Sequence, residues 1–217
     1  MAVSFPDEAP SGLPRVATPE PAGCGYWRLA AEGQAFATLA TDHHGCLVGA
    51  HTHGVPLPPE KQQELQGLIG TMVGLEYLKI EEVSALPRRQ APFGAALYAP
   101  LAAADFVPDV VLVRGNARQL MLLAEAAQAA GVVGEHPALG RPTCAVLPQA
   151  LASGRTAVSF GCVGNRVYTG AADDEAYFAM PGGALEPVLE RLAAVTRANR
   201  ELEGFHRGRL QAATGQA

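Results

Sequence analysis

The sequence predicts one α/β domain, or an α+β one, in which a mixed sheet is packed by helices. Three observations predict it. The chain has 217 residues of which 48% are hydrophobic, enough for one sizeable core. Short apolar or β-branched runs bounded by turn residues alternate loosely with segments of helical periodicity. Two stretches, each holding a pair of cysteines, repeat one order of elements, which points to two pseudo-repeated halves.

The first 20 residues, rich in proline and acidic side chains, are expected as a flexible lead-in. Residues 21–207 are then the domain, and 208–217 a flexible tail. The lead-in lacks the basic start and apolar run of a signal peptide. No window approaches the roughly 18 consecutive apolar residues of a membrane span. A cytoplasmic location follows, with no membrane partner. Charged residues make up 17% of the chain and its net charge is -5. Such a surface cannot neutralise a phosphate backbone, so no nucleic-acid partner is expected.

A short helix is expected over residues 23–32, ended by Gly33 in a left-handed position, then a strand over 36–40. Residues 42–46 form a turn, and 47–50 a second extended piece. Proline in the first turn opens a helix at Pro58-Pro59-Glu60, whose buried face is Leu65, Leu68, Ile69 and Met72. A proline-containing loop over 84–92 leads to a strand over 95–99. The run DVVLV at 109–113 is continuously apolar after its aspartate, the mark of a strand covered on both faces. Asn116 then caps a helix with Leu120, Leu123, Ala124 and Ala127 on one face, up to Gly131. Two more strands are expected over 156–161 and 176–180. A last helix over 184–203 is expected to be buried through Leu185, Val188, Leu189, Leu192, Val195 and Leu202.

The repeat is read from the cysteines. Cys24 opens a helical segment ended by Gly33, a strand follows, and Cys46 precedes Gly49; Cys144, Gly154, a strand, Cys162 and Gly164 run in the same order. Pairing of two such halves would bring four sulfurs together. A cysteine in the first turn of a helix has a lowered thiol pKa, so Cys24 and Cys144 are expected as thiolates, although Pro148 delays the second helix until after Cys144. With no CxxC present, an ordinary zinc knuckle is not indicated. The expected ligand is an iron–sulfur cluster or another metal held by Cys24, Cys46, Cys144 and Cys162, with zinc or haem as alternatives. A single cysteine in an alanine-rich segment is more often a small core residue.

Four of the six histidines stand close to Cys46, in Asp42-His43-His44 and His51-Thr52-His53. In an extended stretch His51 and His53 would share a face. The expected acid/base set is His43 and His53, with Asp42 fixing an imidazole tautomer. Arg114 and Asn116 follow a buried strand, where open sheets bind ligands, and Arg114 can hold an anionic group. The carboxylates Asp173-Asp174-Glu175 read as a solvated turn.

These residues give the chain a resemblance to domain-of-unknown-function family 169, from about Cys24 to Arg209. It rests on the Cys24 helix with Trp27 and Gly33, the Asp42-His43 and Cys46 turn, PDVVLVRGN at 108–116, PTCAV around Cys144, SFGCVGNR at 159–166, YTGAADDE at 168–175 and the closing helix with Phe205-His206. The resemblance implies cysteine at all four positions and supplies no reaction.

The functional expectation is therefore a metal- or iron–sulfur-binding protein, leaning to a redox or cluster-dependent enzyme. A small-ligand-binding module with packing cysteines, a haem-binding protein and a cysteine/histidine nucleophilic enzyme are the alternatives. Its partner would be a small molecule or a redox protein, and a homo-oligomer is compatible with the sequence.

Overall fold

The computed structural model describes residues 1–16, 19–132 and 138–214. Among them seven strands form one sheet: β1 (Ala2–Ser4), β2 (Phe36–Leu39), β3 (Ala95–Ala99), β4 (Val110–Asn116), β5 (Ala138–Leu139), β6 (Ala157–Ser159) and β7 (Glu175–Pro181). Their order is β2-β3-β1-β4-β7-β6-β5. Every pairing is antiparallel except that of β5 with β6. The helices are α1 (Gly25–Ala31), α2 (Leu47–His53), α3 (Pro59–Gly74), α4 (Ile80–Ala85), α5 (Ala117–Ala129), α6 (Val146–Ser153), α7 (Val163–Thr169) and α8 (Leu185–Thr214). The mixed α/β class expected from the sequence is the one observed.

Alternation along the two longest strands divides the core. Val110 and Leu112 of β4 join Tyr177 and Ala179 of β7 on one face, with Trp27 of α1, Ala50 of α2 and Leu147 of α6. Val111 joins Phe178 and Met180 on the other, beneath Leu120 and Leu123 of α5 and Val188 of α8. Side chains one residue apart in a strand point to opposite faces, so a run that is apolar throughout must be covered twice. Asn116 caps α5 as expected: its Oδ1 accepts from the Gln119 amide at 3.0 Å, and Gln119 Oε1 accepts from the Asn116 amide at 2.9 Å.

Within the expected flexible lead-in, residues 2–4 form a central strand. β1 lies between β3 and β4, with Ala2 opposite Ala99 and Val3 opposite Val110. Ala2 and Val3 are completely buried. Three residues are too few to show a period, and the prolines that follow end the strand but do not prevent it. Asp109 fixes the exit, its Oδ2 accepting from the Ser4 hydroxyl at 2.9 Å and the Phe5 amide at 2.7 Å. At the other end of the chain α8 runs on through residues 208–214, where a flexible tail was expected; 215–217 lie outside the described residues.

Three further expectations are corrected. Residues 47–50 are helical, not extended, because the Cys46 sulfur accepts from the Gly49 amide at 3.3 Å and starts α2. None of the residues of α3 is fully buried, and Leu68 of its expected inner face is exposed. On α8 only Val188 is fully buried, while Leu189 and Leu202 are exposed. Its first half lies along α5, where Asn199 donates to Glu125 at 2.7 Å, and Glu203 pairs with Arg118 near the start of α5 at 2.6 Å. Beyond that point α5 offers no further surface. Among the described residues no helix is long and apolar enough to cross a membrane.

Candidate functional site

All four cysteines stand at helix starts on the same side of the sheet. Cys24 precedes α1, Cys46 precedes α2, Cys144 lies in the 3-10 turn Thr143–Ala145 before α6, and Cys162 precedes α7. Around each pair the chain runs helix, strand, helix. The sulfurs are near enough to feel one another's charge. Burial, then Cys46 and Cys162, push the Cys24 thiol up to about 12. Burial, then Cys46, raise the Cys144 thiol further still, with Cys162 and Cys24 adding to the effect.

Those shifts reverse the thiolate expectation for Cys24 and Cys144. The helices following Cys24, Cys46 and Cys162 have only seven residues, and that following the Cys144 turn has eight. Their weak dipoles do not offset removal from water. Among the described residues no three or more His, Cys, Asp or Glu side chains are grouped to hold a metal ion. The expected four-cysteine metal or iron–sulfur site is therefore corrected: the cysteines are not arranged as a ligand set, and burial keeps Cys24 and Cys144 protonated.

Asn165 of α7 was not singled out by the sequence. It is only 2% exposed, and neither its carboxamide oxygen nor its nitrogen has a hydrogen-bond partner among the described residues. The group faces Cys24 and Tyr177 closely enough to influence both, but neither contact reaches hydrogen-bond geometry. An orphaned buried amide costs about 1–3 kcal/mol. Replacing Asn165 by leucine, similar in size and without polar atoms, is expected to raise the free energy of unfolding by about 1 kcal/mol, measured by urea denaturation. Unchanged or lower stability would show that the amide is satisfied in solution.

The histidines separate by environment. His43 and His53 come together, ring centroids 6.3 Å apart, inside a shell of Phe5, Tyr26, Phe93 and Tyr98. Burial, then His53 and His44, push His43 down to about 3. Burial, with Arg89 adding and a hydrogen bond to Gly49 opposing, takes His53 down to about 4. Both are neutral at pH 7. The Thr38 hydroxyl donates to the Ala96 carbonyl at 3.3 Å, which leaves its oxygen to accept from His43 Nε2 at 2.9 Å. His53 Nδ1 donates to the Gly49 carbonyl at 2.9 Å. Asp42 touches neither ring: its carboxylate accepts from the Leu39 amide at 2.8 Å and pairs with Arg15 at 3.1 Å. Because residues 47–53 are helical, His51 does not share a strand face with His53.

A cleft of about 370 Å³ opens at the end of the same sheet face, lined by Trp27, Arg28, Arg114, Thr169 and Tyr177 among others. Arg114 and Tyr177 are register partners on β4 and β7 and so stand side by side. The guanidinium holds Glu175 at 3.5 Å and the Thr169 carbonyl at 3.4 Å, both long contacts. The Thr169 hydroxyl donates to the Asn165 carbonyl at 2.7 Å, so the Tyr177 hydroxyl donates to it at 3.0 Å. Trp27 crosses the Tyr177 ring edge-on at 5.4 Å. Sequence reading found Arg114 but not Tyr177 or Thr169, because Tyr177 reaches it only through strand pairing and Thr169 only through the packing of the end of α7. Asn116 serves as the α5 cap.

The family model described as DUF169, uncharacterised ArCR, matches residues 1–191. The chain belongs to this family. A DUF169-like match to β1 agrees with its place inside the sheet. An uncharacterised protein of Methanocaldococcus jannaschii is 27% identical over 171 residues, covering 72% of this chain and 69% of that protein. No solved structure matches.

Proposed function

We propose that this DUF169 protein binds a small anionic molecule in the Arg114 cleft. The observation that carries the reading is the Arg114 guanidinium, fixed at the mouth of a cleft by two contacts too long to occupy its donors fully. Guanidinium forks bind carboxylate and phosphate oxygens through paired, charge-assisted hydrogen bonds. Trp27 and Tyr177 supply an apolar wall against which a flat ligand packs. Asn165 lies between Tyr177 and the Cys24 thiol, close enough to influence both.

Trp27 is the chain's single tryptophan, so its fluorescence reports on the cleft. Titration with benzoate, phenyl phosphate or inorganic phosphate is expected to give a saturable change with at least one of them. Arg114→Gln should weaken that binding by about tenfold to a hundredfold, the loss of one charge-assisted contact. An unchanged circular dichroism spectrum shows that the variant is folded. Responses that never saturate, or that Arg114→Gln leaves unaltered, overturn the reading.

A further inference from the structure

We propose that Cys46 and Cys144 are a reversible oxidation site, closing to a disulfide by exchange with a low-molecular-weight disulfide such as oxidised glutathione. Three hydrogen bonds on the first turns of α2 link the two sulfurs. Cys46 Sγ accepts from the Gly49 amide at 3.3 Å, the Gly49 carbonyl accepts from the Thr52 hydroxyl at 3.0 Å, and Thr52 Oγ1 lies 3.5 Å from Cys144 Sγ. The turn that carries Cys144 packs directly on α2. Glycine at position 49 is part of the arrangement, since a Cβ there would come within 2.9 Å of the Cys46 sulfur.

Accessibility and proximity select this pair. Cys46, Cys144 and Cys162 are all partly exposed, whereas Cys24 is buried, and the contacts along α2 involve Cys46 and Cys144 but not Cys162. Among the other thiols, Cys46 is also the strongest charge influence on Cys144, ahead of Cys162. Cys46, held by the Gly49 amide at the start of α2, is the attacking sulfur, and Cys144, whose thiol burial raises, is the resolving one. In the first step the Cys46 thiolate attacks one glutathione sulfur, forming a mixed disulfide and expelling one glutathione thiolate. Cys144 then loses its proton to solvent and attacks Cys46 Sγ, expelling the second. Two electrons pass from the protein to the small disulfide, and the two protons released end on the two glutathiones.

The test uses the reduced full chain, oxidised glutathione, thiol counting and peptide mapping by mass spectrometry. Two of the four thiols should be lost, without retained glutathione, and the map should show a Cys46–Cys144 cross-link that dithiothreitol reverses. Cys144→Ser should stop at a stable glutathione adduct on Cys46, and Cys46→Ser should abolish the cross-link. Cys24→Ser should leave it intact. A Cys144–Cys162 cross-link, a persistent adduct on the unsubstituted protein, or four unreactive thiols in the folded chain would each overturn the proposal. None of these outcomes depends on the Arg114 cleft.

Discussion

Between pH 6.5 and pH 5 the folded state is expected to lose about 3 kcal/mol of stability through His43 and His53 alone. Both rings titrate near 6.5 in the unfolded chain but are pushed down to about 3 and about 4 by burial in the fold. Below pH 6.5 the unfolded chain therefore takes up protons that the folded one refuses. The stabilisation is fully present above the unfolded value and is lost as the pH falls towards the folded ones. The slope from each histidine rises to about 1.4 kcal/mol per pH unit at the acid end of that window. Set against a typical total of about 5–15 kcal/mol, the loss removes a large fraction of the stability in weak acid.

Two variants isolate the cause. Glutamine at 43 places an amide nitrogen near the position of Nε2 and can still donate to Thr38; asparagine at 53 does the same for Nδ1 and the Gly49 carbonyl. His43→Gln and His53→Asn should each roughly halve the slope of stability against pH, measured by urea denaturation from pH 7.5 to 5, and the double variant should nearly flatten it. A slope that survives in the double variant would place the acid sensitivity elsewhere.

The parts of this fold that were legible in the sequence carry their signal within one segment. The strand β4 is apolar on both faces, Asn116 stands where a cap must stand, and β3 runs over the expected residues. Illegible features depend on partners far along the chain. The sequence predicts an extended stretch over 47–50, because the capping of α2 by the Cys46 sulfur shows only in three dimensions. The repeated order of the cysteines predicts a shared ligand set that the structure does not form, because spacing gives no measure of burial, and burial decides that Cys24 and Cys144 stay protonated. Arg114 was found because strand ends are good places to look. Tyr177 was not, since an aromatic residue in a strand is ordinary until its neighbour across the ladder is known.

Deleting residues 2–5 is expected to abolish cooperative folding, although the sequence around them resembles a dispensable leader. The deletion removes β1 from the middle of the sheet and leaves facing edges of β3 and β4 without partners. It also empties the sites of Ala2 and Val3, both completely buried, and of Phe5, which is 5% exposed and packs on Phe93 at 5.2 Å. Loss of a buried phenylalanine alone costs about 3–5 kcal/mol, and a buried valine adds about 2 kcal/mol. With the ladder hydrogen bonds included, the sum reaches the whole stability of an ordinary domain. The truncated chain should show no cooperative thermal transition by circular dichroism. Val3→Ala, a milder change at the same place, should fold and lose about 2 kcal/mol. A truncated chain that melts like the full one would remove β1 from the sheet, and with it the reason for Asp109 to hold Ser4 and Phe5.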